Sequence, residues 1–314
     1  MMLESLYIKN FRLFNVLEIE QLKRVNLFVG KNNSGKTCLL EALWIYASSG
    51  SPTVLNNIIS EREEYWELWE LWKNEKLFDE RLSESIPPQK HPLRFLFHGY
   101  QLTEAGFEIG TLEPTQKPVI ILPSSPFNRF FPPENGRFLS TRPLDNDTIL
   151  KLWDDIVLTT EEAFIIQSLQ LVDPKIQKLS VARGSRVPIV VYDGERVPLK
   201  NLGEGMNRVF YIILSLINTR NGFLFIDEFE NGIYWQAQSK LWEIIFKLAE
   251  ELNVQVFATT HNQDCVQGFH ATWEIQEDKG TFYRLHHRQG KGAVATYYDC
   301  ETLSDTLDMA GEMR

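Results

Sequence analysis

A chain that runs Val25-Asn26-Leu27-Phe28-Val29 into Gly30-Lys31-Asn32-Asn33-Ser34-Gly35-Lys36-Thr37, and then into Cys38-Leu39-Leu40-Glu41-Ala42-Leu43, has few folds open to it. The first segment reads as a short apolar strand and the last as a helix. The loop between them satisfies G-x-x-x-x-G-K-[ST] at every fixed position. In such a loop the glycines let backbone N–H groups close around phosphate oxygens. The lysine reaches the β- and γ-phosphates, and the hydroxyl of the last residue ligates Mg²⁺. The helix that follows aims its positive end at the same anion. The strand before and the helix after are the context that separates a phosphate loop from a chance match.

A second acidic element completes that reading. Phe223-Leu224-Phe225-Ile226 is a continuous apolar run, as expected of a strand covered on both faces, and it ends in Asp227-Glu228. Acids at the carboxyl end of a parallel strand stand where α/β sheets bind ligands. Asp227 suits a magnesium ligand, together with Thr37. Glu228 suits a group that orients and deprotonates the attacking water. Asn253 to Thr260 repeats the pattern and ends at His261, which is placed to sense a γ-phosphate. A helix over about 235–252 supplies the crossover between these two strands. Upstream, Leu202-Gly203-Glu204-Gly205 opens a long apolar helix that runs to about Ile217.

Two strand-like runs, Leu3 to Ile8 and Phe14 to Ile19, precede the loop, with Asn10-Phe11-Arg12 between them. This order of strand pair, N-F-R, phosphate loop, glycine pair, Asp-Glu and Thr-His resembles the ABC-type ATPase heads of the RecF, SMC and OLD families. The resemblance spans 1 to about 50 and 177 to 270. It implies an α/β fold: an ABC-ATPase-like P-loop NTPase head with a mixed sheet and helices, plus an α+β insertion or lid. The expected division is a core of 1–50 and 177–314 with an insertion at 51–176. No sustained heptad run occurs there, so arms of the SMC kind are not expected.

The resemblance further implies ATP and Mg²⁺ as ligands, with Gly30 to Cys38 around the phosphates and Arg12 near the nucleotide. Lys36, Glu228 and His261 would take catalytic roles. Gly203, Glu204 and Gly205 would act as a signature that meets the nucleotide of a second copy, so that ATP joins a homodimer or higher homo-oligomer. Glu230-Asn231-Gly232 would be the D-loop. The Leu-Gly-Glu-Gly form departs from the transporter signature, which disfavours a transporter ATPase. No N-K-x-D guanine reader is present, so ATP is expected over GTP. The implied role is a switch or motor acting on DNA, or on a separate nuclease or toxin chain of TOPRIM or H-N-H type, in bacterial phage defence. The alternatives are a nucleotide-gated scaffold with negligible hydrolysis and a RecF-like repair ATPase.

Bulk properties constrain the partners. The 314 residues carry a net charge of -10, which argues against coating DNA through overall charge. The late cluster Arg284, His286, His287, Arg288 and Lys291 is read as a solvated hairpin, with a DNA or partner contact left open. Cys38, Cys265 and Cys300 are scattered, so neither a disulfide framework nor a zinc site is indicated. No leader or spanning segment is read, and a cytoplasmic protein without membrane contact is expected.

Within 51–176, Glu61 to Lys73 places Trp66, Trp69 and Trp72 at helical spacing and reads as a helix with its tryptophans in a core. Short strands are expected at Leu93–Phe97, Gly106–Ile109 and Pro118–Leu122, and helices at Asp147–Leu158 and Glu161–Leu171. The Asp145-Asn146-Asp147 triplet reads as a helix cap, and Thr159 with Glu162 as a capping box. Trp273–Ile275 and Thr281–His286 read as a final hairpin, with one more strand at Ala293–Tyr298.

Overall fold

The computed structural model describes residues 2–66, 87, 89–113, 117–122, 135–182, 184, 186–290 and 292–309. The strand pair at the start is a hairpin, β1 (Leu6–Phe11) against β2 (Phe14–Ile19). β3 (Val25–Val29) then leads through the glycine loop into α1 (Lys36–Ala47). α2 (Pro52–Glu61) follows, with proline at its first turn, where a missing N–H costs nothing.

β4 (Phe107–Gly110) and β5 (Val119–Ile121) add to the hairpin, giving a four-stranded sheet in the order β2-β1-β4-β5. β6 (Gly136–Leu139) precedes α3 (Asn146–Asp154) and α4 (Thr160–Val172). A three-stranded antiparallel sheet, β7 (Ile176–Ala182), β8 (Val187–Tyr192) and β9 (Glu195–Pro198), leads to α5 (Glu204–Ile217). β10 (Phe223–Ile226), α6 (Trp235–Glu251), β11 (Gln255–Thr260) and α7 (Gln263–Trp273) come next. The antiparallel pair β12 (Gly280–Arg288) and β13 (Gly292–Tyr298) and then α8 (Cys300–Asp308) close the described chain.

The six-stranded sheet runs β13-β12-β3-β11-β10-β6. β12, β3, β11, β10 and β6 are mutually parallel along it, and β13 alone runs against its neighbour. Every residue of β3 and of β11 is buried, as continuous apolar strands require when both faces are covered. Alternation along the strands then sorts the two faces. Val25, Leu27, Leu224, Ile226, Val256 and Ala258 face one core with α3 to α7, while Phe28, Phe225 and Phe257 face the other with α1 and the first sheet. Because β3, β10, β11 and β6 are parallel, their carboxyl ends share one edge. Gly30, Asp227, His261 and Ser140 emerge there together.

Several expectations are corrected. Leu93–Phe97 is not a strand: Pro92–Leu96 is a 3₁₀ turn capped by His91, whose Nδ1 accepts from the Leu93 N–H at 3.2 Å. Pro92 starts the turn, and Leu93, Leu96 and Phe97 are buried at turn spacing rather than in alternation. Trp273–Ile275 is not a strand either. Trp273 ends α7, which Asn262 caps through the Cys265 N–H at 3.1 Å and whose buried face is Val266, Phe269 and Trp273. Of the tryptophan stripe, Trp66 is 66% exposed and so is not core, while Trp69 and Trp72 lie outside the described residues.

The boundary drawn at 51–176 does not follow the strands. β4 pairs with β1, and β6 pairs with β10 inside the main sheet. Strands this short carry no mark of a partner some ninety residues away in the chain. The two helix caps agree with the reading. Asp145 caps α3 through the N–H groups of Asp147 and Thr148. Thr159 caps α4 through the Glu161 N–H, and the Glu162 carboxylate accepts from the Leu158 N–H, one residue earlier than in a standard box. The basic cluster is divided. Alternation puts Arg284, His286 and Arg288 on one face of β12 and His287 on the other, and Lys291 lies outside the described residues. Among the described residues no helix is long and apolar enough to cross a membrane.

Candidate active site

Gly35 ends the loop at φ +101, and a Cβ built there would stand 2.9 Å from Phe14 Cζ. That backbone conformation, pressed against the β1–β2 hairpin, admits glycine alone without strain. α1 begins at the next residue, so the helix N-terminus and the loop form one concave surface. A cavity of about 320 Å³ lies over it, lined by Leu13, Asn32 to Cys38, Arg62, Asp227 and Glu228. Lys31, Asn32 and Asn33 are exposed, whereas Ser34, Gly35 and Lys36 are buried. Lys36 Nζ donates to the carbonyls of Gly30 at 2.6 Å and Lys31 at 3.1 Å. Burial lowers its pKa, opposed by Asp227, Glu228 and Glu230.

The acid pair of β10 meets this loop directly. Thr37 Oγ1 donates to Asp227 Oδ2 at 2.9 Å. Thr259 Oγ1, from the penultimate residue of β11, donates to Asp227 Oδ1 at 2.6 Å and accepts from the Glu228 N–H at 2.9 Å. One hydroxyl thus orients the Asp227 carboxylate and the Glu228 peptide. Glu228 has φ +46, a conformation that costs a residue with a side chain on the order of 1–3 kcal/mol and persists only when its surroundings hold it.

His261 lies beside this pair, and its partner is Glu230. The Glu230 Oε1 atom accepts from the His261 N–H at 3.0 Å and lies 3.0 Å from Nδ1 of the ring. An Nδ1–H held by a carboxylate leaves Nε2 as the outward-facing ring nitrogen. Glu230, expected to face a second copy, is buried within its own chain, while Asn231 Nδ2 donates to the Thr141 carbonyl at 3.1 Å.

Arg12 sits behind the loop, and Cys38 lines its cavity. The Arg12 side chain is buried. Its Nε pairs with Glu41 at 2.6 Å and its Nη1 with Glu64 at 2.7 Å, so its donors are directed at carboxylates. Arg62 pairs with the other Glu41 oxygen at 2.7 Å and also lines the loop cavity. Burial pushes the Glu41 carboxyl up, and the two arginines pull it back. The Cys38 thiol contacts Arg62 Nη2 at 3.7 Å, and burial pushes its pKa up to about 11.

Gly203, Glu204 and Gly205 are elsewhere. Gly203, at φ +102, caps α5, and Gly203 and Glu204 are exposed. Gly205 packs on Gly232, whose carbonyl oxygen a Cβ at Gly205 would meet. Glu204 lines a second cavity of about 260 Å³ with Arg142, Asn207, Arg208 and Asn231. The two cavities share no lining residue.

Sequence reasoning missed Thr259, Arg62 and Arg208, and placed Glu230 at a second copy rather than on His261. Two of these had a signal: Thr259-Thr260 is polar at the end of an apolar strand, and Arg208 interrupts the apolar stripe of Met206, Val209 and Phe210.

Residues 1–90 and 141–266, more than half the chain, match the AAA ATPase domain family (AAA_15). An "ATP/GTP phosphatase" of Helicobacter pylori is 23% identical over 325 residues, covering 85% of this chain and 87% of that protein. The DNA replication and repair protein RecF of Listeria monocytogenes is 43% identical over 67 residues, a match that spans 20% of this chain and 18% of RecF. Among solved structures, the SMC head domain from Thermotoga maritima superposes with a TM-score of 0.53 at 12% identity, over 95% of this chain and 100% of that one. An SMC head bound to the C-winged helix domain of ScpA gives 0.53 at 11% identity, over 97% and 100%. With its mixed sheet, glycine loop and acid-tipped strand, the chain belongs to the AAA ATPase domain family and has the α/β fold of an SMC-type ATPase head.

Proposed function

We propose that this chain binds ATP with Mg²⁺ at the Gly30–Cys38 loop, hydrolyses it with Glu228 as general base, and uses the cycle to join and release a second copy of itself. The observation that carries this reading is the 2.9 Å contact between Thr37 Oγ1 and Asp227 Oδ2. Two neighbouring ligands of an octahedral ion at about 2.1 Å stand about 3.0 Å apart, so this hydroxyl and carboxylate fit Mg²⁺. Bound there, the ion would offset charge on the β- and γ-phosphates. The protein's own part is positioning. Lys36 meets the phosphates, Thr259 fixes Asp227 and the Glu228 peptide, and the Glu228 carboxylate takes the proton of the attacking water. His261, oriented by Glu230, faces the γ-phosphate.

Gly203, Glu204 and Gly205 would contact the triphosphate held by the other protomer. The exposure of Gly203 and Glu204 at a helix N-terminus, and the separation of all three from their own loop cavity, support that arrangement. The dimer would then form with triphosphate bound and part after hydrolysis. The RecF match supports action on DNA. Control of a separate nuclease or toxin chain, and a place in phage defence, rest on the motif order shared with OLD-type ATPases.

The test is Glu228→Gln. Nucleotide binding is expected to persist while phosphate release stops and the ATP-bound dimer accumulates in light scattering. Turnover at the wild-type rate would remove Glu228 as the base. Slow wild-type turnover with intact ATP-dependent dimerisation would favour the scaffold reading.

A further inference from the structure

Arg208 stands just inside α5, and its side chain runs inward, only 6% exposed. From Nη1 it donates to the Ser140 carbonyl at 2.6 Å. From Nη2 it donates to the Asp227 carbonyl at 2.6 Å, with the Glu228 carbonyl 3.5 Å away. Ser140 follows β6 and Asp227 follows β10, so one planar fork ties the carboxyl ends of two neighbouring strands. The Glu228 peptide is gripped from the other side, where its N–H meets Thr259 Oγ1. Between these two grips lies the left-handed Glu228 backbone. Arg208 also lines the cavity at the start of α5, beside Glu204, Asn207 and Asn231. Gly205, on the same helix, leans on Gly232.

We infer that Arg208 is a positioning residue that holds the Glu228 backbone in its working conformation and transmits engagement at the α5 N-terminus to it. The inference rests on the proposed roles of Glu228 as base and of Gly203–Gly205 as the face that meets a second protomer. A push on the first turn of α5 moves the guanidinium, and the guanidinium moves the carbonyls on which it ends. Glu228 is held against its backbone preference, so a small shift in those carbonyls displaces its carboxylate from the water. The geometry calls for arginine. Two donors on one rigid plane serve two strand ends together, while an ammonium is a point charge on a flexible stem. Burial pulls the Arg208 pKa down to about 10, with Asp227, Glu230 and Glu228 opposing, so the group is a cation at neutral pH.

The experiment compares wild type, Arg208→Met and Arg208→Lys. Affinity is read from equilibrium titration with a fluorescent ATP analogue, and turnover from phosphate release over a range of protein concentrations. Dimerisation is read by light scattering in the Glu228→Gln background. Both variants are expected to bind the analogue within about threefold of wild type and to dimerise when Glu228 is replaced. kcat is expected to fall about 100-fold in Arg208→Met and less in Arg208→Lys, and specific activity should no longer rise with protein concentration. Arg208→Lys keeps the charge but has a single donor nitrogen in place of the fork, so it carries the test if the methionine variant does not fold. Wild-type kcat with an undiminished concentration dependence would overturn the inference. So would a parallel loss of binding and kcat in both variants, which would make Arg208 part of the scaffold alone. Wild-type turnover that survives Glu228→Gln would remove the base itself, and that control separates failure of the proposed function from failure of this inference.

Discussion

The two cavities on the active edge of the sheet are built differently. At the loop cavity the Asp227 carboxylate is met by side chains of two other motifs, Thr37 and Thr259, and the one contact to backbone there, Lys36 on the carbonyls of Gly30 and Lys31, stays within its own loop. At the α5 cavity the contacts are to backbone: Gly205 against Gly232, Arg208 on the carbonyls of Ser140 and Asp227, Asn231 on the carbonyl of Thr141. Side-chain contacts fix charge and ligand geometry. Backbone contacts fix how segments sit relative to one another. On the proposed function, the first cavity carries the chemistry and the second senses and relays position.

The largest expected break in this comparison is Asp227→Ala. It removes the acceptor of both Thr37 and Thr259, and phosphate release should fall about 100- to 1,000-fold. Retention of near-normal turnover would mean that the loop cavity does not depend on that carboxylate.

Gly205→Ala should act at the other cavity. The new methyl meets the Gly232 carbonyl, and overpacking of this kind costs about 1–3 kcal/mol. Turnover should fall about tenfold or more with nucleotide affinity unchanged, as expected when position rather than ligand binding is lost. A matching loss of ATP affinity in titration would erase the distinction between the two cavities.

The smallest effect comes from a group that lines neither cavity. Burial lowers the His91 pKa from 6.5 to about 4. Its Nδ1 accepts from the Leu93 N–H, and its Nε2 has no hydrogen-bond partner among the described residues, so the fold holds the neutral ring. A depressed folded-state pKa means that stability is full above about pH 6.5 and is lost as pH falls toward 4. The loss should be about 2 kcal/mol by pH 5. Denaturant unfolding of His91→Gln should show a shallower acid slope than wild type. An identical slope would place the acid sensitivity elsewhere. Such destabilisation treats both cavities alike and gives the baseline for the two variants above.

Arg12 illustrates what was and was not legible. Its place after the first strand was plain from N-F-R, yet its guanidinium is enclosed by Glu41 and Glu64. Glu64 belongs to the Glu61–Lys73 stretch, whose pattern was read from its tryptophans and not from its acids. Asn26 is a similar case. A polar residue in the apolar β3, it is fully buried and hydrogen-bonded to the Val256 carbonyl and to Thr281. Its need for partners follows from burial, but their identity required knowing that β3 lies between β11 and β12.

Sequence alone determined the parts whose physics is local. A glycine loop between strand and helix, apolar runs too continuous for a half-exposed sheet, and caps at Asp145 and Thr159 are each decided within about ten residues. Tertiary structure decided strand order, and with it every contact joining those parts. Thr259 between Asp227 and Glu228, Glu230 on His261, and Arg208 across two strand ends all cross between segments that touch through the sheet rather than through the chain. Periodicity says which face of a strand is buried. It does not say which strand lies next to it.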